Sequence, residues 1–161
     1  MAQDLVRELG YLCLGSRLKR LGERLQTGVQ QASDGSGPSL QPGLFPILAA
    51  LHRDGPCTVS SLAEALGVAQ PGVTRSLAKL ADLGFARMSR GAEDQRQRVA
   101  ELTESGRKVI RRAEEELWPR VEAAVRSLCE PLGGSLLDQI SAIEEALAEK
   151  PLHERIAEVR P

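Results

Sequence analysis

"VAQPGVTRSLAKL", residues 68–80, sets a proline and a glycine side by side at the head of a stretch with helical period. Val73, Leu77 and Leu80 recur at i, i+4 and i+7 and form one apolar stripe. Gly72, Arg75, Ser76 and Lys79 share the opposite face. A proline in a first turn forfeits no helical hydrogen bond, and a glycine there lets another surface approach closely. The spacing thus predicts a helix with a narrow core contact and a free face that is small, polar and cationic.

Upstream, "TVSSLAEALG", residues 58–67, reads as a second short helix. The Thr58 hydroxyl can accept from the amide of Ser60 or Ser61 as an N-cap, and Gly67 closes the helix as a C-cap. Only Val68 and Ala69 separate the two segments. Two short helices joined at a glycine form a helix-turn-helix unit, whose second helix enters the major groove of DNA. Downstream of Gly84, the runs Ala86–Arg90 and Arg98–Leu102 flank "GAEDQRQ", residues 91–97, and predict a hairpin with a polar, charged loop. A helix-turn-helix followed by a basic hairpin is a winged arrangement.

The ends of the chain carry longer apolar seams. From Asp4 to about Val29 a single long helix is expected, with Leu14, Leu18, Leu21 and Leu25 on one stripe and Leu5, Leu9 and Leu12 beginning another. "SDGSGPS", residues 33–39, is a turn-rich linker. A helix should run from near Pro42 to His52, and "RDGPCT", residues 53–58, breaks it. Thr103 offers an N-cap to a long helix reaching Leu128, with Ile110, Ala113, Leu117, Val121, Val125 and Leu128 on one face and a kink expected at Pro119. After "EPLGGS", Ser135 caps again, and Leu136, Ile140, Ile143 and Leu147 repeat at 4, 3 and 4. Such seams pack against a second copy of the chain, or against each other within one chain.

Composition agrees with a mainly helical fold. Of 161 residues, 42% are hydrophobic but only 2% aromatic, so the core is aliphatic. No run of about 18 apolar residues is present to span a bilayer, and "MAQDLVRELG" has neither the basic head nor the apolar run of a signal peptide. A cytoplasmic protein without a membrane partner is expected. The net charge of -1 conceals an uneven distribution: residues 70–112 hold ten Lys or Arg against five Asp or Glu, and the remainder hold eleven against seventeen. Local positive charge is what a phosphate backbone would feel.

Other chemistry is thinly represented. Cys13, Cys57 and Cys129 are an odd number at no metal-ligand spacing, and His52 and His153 lack neighbouring ligands, so no metal or other cofactor is expected. Neither H-E-x-x-H, nor G-x-S-x-G, nor a phosphate-cradling glycine loop occurs, which speaks against an enzyme. A winged helix can also serve as a protein-interaction module, although lysine on the free face of residues 71–83 is unlike a protein-binding surface.

The stretch from Thr58 to Gly106 resembles the winged helix-turn-helix core of the MarR family of bacterial transcription regulators. The match is most specific at the wing, where Asp94, Arg96 and the following "VAELTESG" keep the family's D-x-R wing and the L-T-x-x-G that opens the next helix. The resemblance implies a mainly α fold with a small β-hairpin wing: one domain over 1–161, its DNA-binding core at 41–103 and dimerisation helices at 4–32 and 104–161. It implies a homodimeric repressor on double-stranded DNA, at a pseudo-palindromic operator, relieved by a small-molecule effector. Thr58, Ser60, Gln70, Pro71, Gly72, Thr74, Arg75, Ser76 and Lys79 would face the duplex, as would Arg90 and Arg98 of the wing. Arg96 would reach the minor groove, and Asp94 would hold the wing arginines in place. Ala69 departs from the pattern, standing where relatives commonly have a serine cap. Cys13 lies roughly where a peroxide-sensing branch of the family keeps its reactive thiol, with Cys129 as a resolving partner, so a redox-switched regulator is the alternative trigger. That branch flanks its thiol with tyrosines, whereas Tyr11 is the only tyrosine here.

Overall fold

A computed structural model describes residues 4–33, 40–90 and 98–159. The chain divides into two units, residues 1–117 and 118–161.

The first unit begins with a short helix α1 (Leu5–Glu8), a 3-10 turn (Gly10–Cys13) and the long helix α2 (Leu14–Ser33). The single helix expected from Asp4 is therefore broken, and Gly10 is where it breaks, with φ at 54°. Asp4 caps α1 and also pairs both carboxylate oxygens with the Arg20 guanidinium at 2.9 and 3.0 Å. In one straight helix those residues would stand about 24 Å apart along the axis, so the pair requires the reversal that Gly10 permits.

A 3-10 turn (Pro42–Leu44) leads into α3 (Phe45–Asp54), which accommodates Pro46 in its first turn. Next come β1 (Cys57–Thr58), α4 (Val59–Leu66), α5 (Gln70–Asp82), β2 (Ala86–Arg90), β3 (Arg98–Leu102) and α6 (Glu104–Arg112). The three strands form an antiparallel sheet in the order β1-β3-β2. The hairpin strands fall where the sequence places them, whereas β1, read as part of a break, is an additional edge strand. Two residues pairing Cys57 with Ala100 and Thr58 with Val99 are too short to show a period of their own.

Among the described residues, every buried hydrophobic residue lies between Leu40 and Ala113. Leu48 of α3, Leu62 of α4, Val73, Leu77 and Leu80 of α5, and Ile110 of α6 are the largest fully enclosed side chains, and Ala100 and Leu102 close the core from the sheet. No polar side chain is buried among the described residues.

The helix expected from Thr103 to Leu128 is not regular. After α6 the backbone widens into a π turn over Ala113–Leu117, followed by α7 (Trp118–Cys129). Pro119 has no N–H for the carbonyl of Glu115 and its ring crowds that oxygen, so the wider turn just ahead of it absorbs the misfit in place of a kink alone. The second unit consists of α7, α8 (Leu136–Glu149) and α9 (Leu152–Glu158). Ser135 caps α8 by accepting from the Asp138 amide at 3.2 Å. Helix α9 was not anticipated from the sequence; Pro151, which precedes it, is a common way to restart a helix. No residue of α7, α8 or α9 is buried.

Candidate nucleic-acid interface

The two helices read from the sequence are placed by their ends. Thr58 Oγ1 accepts from the Ser61 amide at 3.1 Å and also hydrogen-bonds the hydroxyls of Ser60 and Ser61, so this hydroxyl is engaged in capping α4. Helix α4 stops at Gly67, which is left-handed at φ 62°. There the Val68 amide donates to the Ala63 carbonyl at 3.0 Å and the Gly67 amide to that of Glu64 at 3.1 Å. This pair of bonds ends a helix and turns the chain at once. Two residues later α5 begins.

The same device ends α5. Gly84 has φ 74°, the Phe85 amide donates to the Leu80 carbonyl at 2.8 Å, and the Gly84 amide to that of Ala81 at 2.9 Å. The exit from α5 is then fastened to α6: Thr103 Oγ1 donates to the Gly84 carbonyl at 2.6 Å and accepts from the Gly106 amide at 3.0 Å, while the Thr103 amide donates to the Phe85 carbonyl. The L-T-x-x-G stretch is thus the joint that orients α5. Its packing role was not read from the sequence, although Thr103 and Gly106 were the signal.

Helix α5 buries Val73, Leu77 and Leu80 and turns Gln70, Pro71, Thr74, Arg75 and Lys79 to solvent, with Gly72 and Ser76 half-buried. Its N-cap, Ala69, is extended and gives no side-chain hydrogen bond. A Cβ added at Gly72 would meet no heavy atom within 4 Å, so nothing within the chain requires a glycine there. Arg75 and Lys79, one turn apart, project from the same side of the helix.

The ion pairs divide the surface. Arg20, Arg53, Arg87, Arg107, Arg111, Arg112 and Arg126 each have a carboxylate within 4.0 Å. Among the described residues, none is recorded within that distance of Arg75, Lys79, Arg90 or Arg98. The exposed cations of α5 and of the wing's strand ends can meet an anion without first giving up a carboxylate partner. Asp94 and Arg96 lie outside the described residues.

The remaining candidates are dispersed. Cys13 ends the 3-10 turn and Cys129 ends α7; both are free and half-buried, in different units. Tyr11 is 93% exposed. Among the described residues no group of three His, Cys, Asp or Glu side chains could hold a metal ion, and no helix is long and apolar enough to cross a membrane.

Residues 40–97 match the MarR family. This winged-helix core is a MarR-family domain. The match spans α3, β1, α4, α5 and β2. Among solved structures, the chain is similar to the Mycobacterium tuberculosis transcriptional regulator MOSR in complex with DNA, with 28% identity over 87% of this chain and 99% of that one and a TM-score of 0.71. It is also similar in fold to the PcaV transcriptional regulator of Streptomyces coelicolor in complex with its natural ligand, at 19% identity, 93% and 98% coverage and a TM-score of 0.69. A mutant MarR of Escherichia coli complexed with operator DNA aligns at 18% identity, covering 91% of this chain and 98% of that one, with a TM-score of 0.66. No curated protein matches the chain in sequence. The MarR-type core thus corresponds to the mainly helical fold with a small antiparallel sheet expected from the residues.

Proposed function

We propose that this MarR-family regulator is a homodimer that binds double-stranded DNA sequence-specifically and represses transcription until a small molecule releases it. The observation that carries the reading is the free face of α5. Arg75 and Lys79 are exposed with no carboxylate beside them among the described residues, and Gly72 leaves open space where a duplex backbone could come close. In this reading Gln70, Pro71, Gly72, Thr74, Arg75, Ser76 and Lys79 enter the major groove, with Thr58 and Ser60 beside it. Arg96 reaches the minor groove, and Asp94 orders the wing.

The dimer is supported by apolar residues that the single chain leaves uncovered. Leu18, Leu21 and Leu25 of α2 are 47%, 49% and 37% exposed, and Ile140, Ile143 and Leu147 of α8 are 37%, 47% and 42% exposed. Apolar rows of this kind are ordinarily covered by another surface. Two copies would have to present their α5 helices about 34 Å apart to meet successive major grooves. An effector that changes that spacing weakens binding without touching DNA.

Fluorescence anisotropy on duplex DNA from the protein's own upstream region, across salt and against a scrambled duplex, tests the reading. Preferential binding to the upstream duplex with a steep salt slope is expected, and Arg75→Ala should weaken it by more than about 1 kcal/mol. Equal weak binding to both duplexes counts against an autoregulator, and no binding to either points to a protein partner for the winged domain. Sedimentation of the same preparation should give a dimer that Ile143→Glu dissociates.

A further inference from the structure

Three cross-strand pairs stand in a row on one face of the wing hairpin: Ala86 with Leu102, Met88 with Ala100, and Arg90 with Arg98. Side chains alternate between faces along a strand, so these six share one side of the sheet. At the inner end Ala86, Ala100 and Leu102 are buried; at the outer end two exposed guanidinium groups are set directly opposite each other. On the other face Arg87 stands opposite Glu101 and is neutralised by it at 2.7 Å. Opposite charges across an antiparallel pair stabilise it and like charges destabilise it. Among the described residues the hairpin thus sets a carboxylate beside one arginine and none beside the facing pair, whose like charges oppose each other. Met88, Ser89, Arg90 and Arg98 line a hollow at that end of the sheet.

We propose that Arg90 and Arg98 together clamp a single phosphate of the DNA backbone at the base of the wing. The proposal rests on the DNA-binding reading above and adds to it a division of labour: the base of the wing fixes the protein's register on the duplex without reading sequence. Residues directly opposite have Cβ atoms about 4.5–5.5 Å apart, so two guanidinium forks starting there converge on one tetrahedral oxyanion. Guanidinium is suited to this because its donors match phosphate oxygens in pairs. The anion also removes the repulsion between the two arginines, so binding and relief of the strand pair coincide.

Full-length wild type, Arg90→Gln, Arg98→Gln and the double variant are titrated with the upstream and scrambled duplexes across salt. Each neutralised phosphate contributes about 0.9 to the log–log salt slope. One shared phosphate predicts that the double variant lowers the slope by about that amount in all and not by twice it, and that both duplexes lose affinity in the same ratio. A double variant that loses twice as much, or a loss confined to the upstream duplex, overturns the clamp. In the free protein, inorganic phosphate should raise the wild-type Tm above that in chloride of equal ionic strength, and each variant should lose that increment. An increment that survives in the variants overturns it too, as does no increment at all, the result expected if Asp94 already satisfies both arginines. Wild type that binds neither duplex removes the DNA-binding reading and the proposal with it, whereas binding with unchanged slopes in the variants removes the clamp alone.

Discussion

The carbonyl oxygen of Phe85 occupies the place a side chain would need at Gly106: a Cβ there would lie 2.0 Å from that oxygen and 2.9 Å from its carbon. Both atoms belong to backbone held by hydrogen bonds, since the Phe85 carbonyl accepts from the Thr103 amide at 3.0 Å. Gly106→Ala must therefore pull the first turn of α6 away from the end of α5. We expect a loss of more than about 2 kcal/mol in stability, read by urea denaturation. A change within about 0.5 kcal/mol, the range of ordinary surface substitutions, would show that the two segments separate at little cost.

Ala69 already has the extended backbone of an N-cap, at φ -68° and ψ 138°, but supplies no side-chain acceptor. Ala69→Ser should stabilise the protein by about 0.5 kcal/mol, the low end for such caps. The gain is small because Pro71 has no N–H to be capped and the Gly72 amide already donates to the Ala69 carbonyl at 2.9 Å. Thermal melts of the two proteins check the sign.

Gly72→Ala separates folding from binding. Alanine fits the space and favours helix by up to about 1 kcal/mol, so the variant should melt at or above the wild-type temperature. On the proposed DNA-contacting face the added methyl obstructs close approach, and anisotropy should show binding weaker by at least about 1 kcal/mol. Unchanged affinity would place the duplex elsewhere on α5.

Acid should loosen the wing. The Arg87 guanidinium, hydrogen-bonded to Glu101, holds that carboxyl below its usual range, and Arg107 does the same for Glu104. A carboxyl with a depressed native pKa stabilises the fold fully above its unfolded value, about 4.3, and loses that contribution as pH falls through the lowered native value. Tm measured from neutral pH down to about 3 should fall less steeply in Glu101→Gln than in wild type. Arg87 is exposed and Glu101 only half-buried, so the difference is small; identical profiles would mean that the pair contributes nothing.

The elements that position the proposed interface were legible because their signals are local. Thr58, Gly67 and Thr103 act where their residue types predict, and Val73, Leu77 and Leu80 are buried as their period requires. What escaped sequence reading depends on distant partners or on backbone strain. Periodicity carried the first helix through Gly10, because a stripe of leucines says nothing about the Asp4–Arg20 pair that draws the chain back on itself. It likewise carried the later helix through Ala113–Leu117, where one proline changes the hydrogen-bonding pattern of the turn before it. The facing of Arg90 and Arg98 is a matter of strand register, fixed by the pairing of Ala86 with Leu102, and no local residue type signals it.

Among the described residues, the buried hydrophobic ones all lie between Leu40 and Ala113, while Leu18, Leu21 and Leu25 of α2 and Ile140, Ile143 and Leu147 of α8 are exposed in the single chain. The residues that hold α5 in shape and the apolar residues available for the proposed pairing are therefore different sets. On the proposed dimer, drift in Ile140, Ile143 or Leu147 would alter which chains recognise one another and leave the fold around α5 intact. If the proposed reading holds, a duplicated copy would diverge in its choice of mate before its choice of operator.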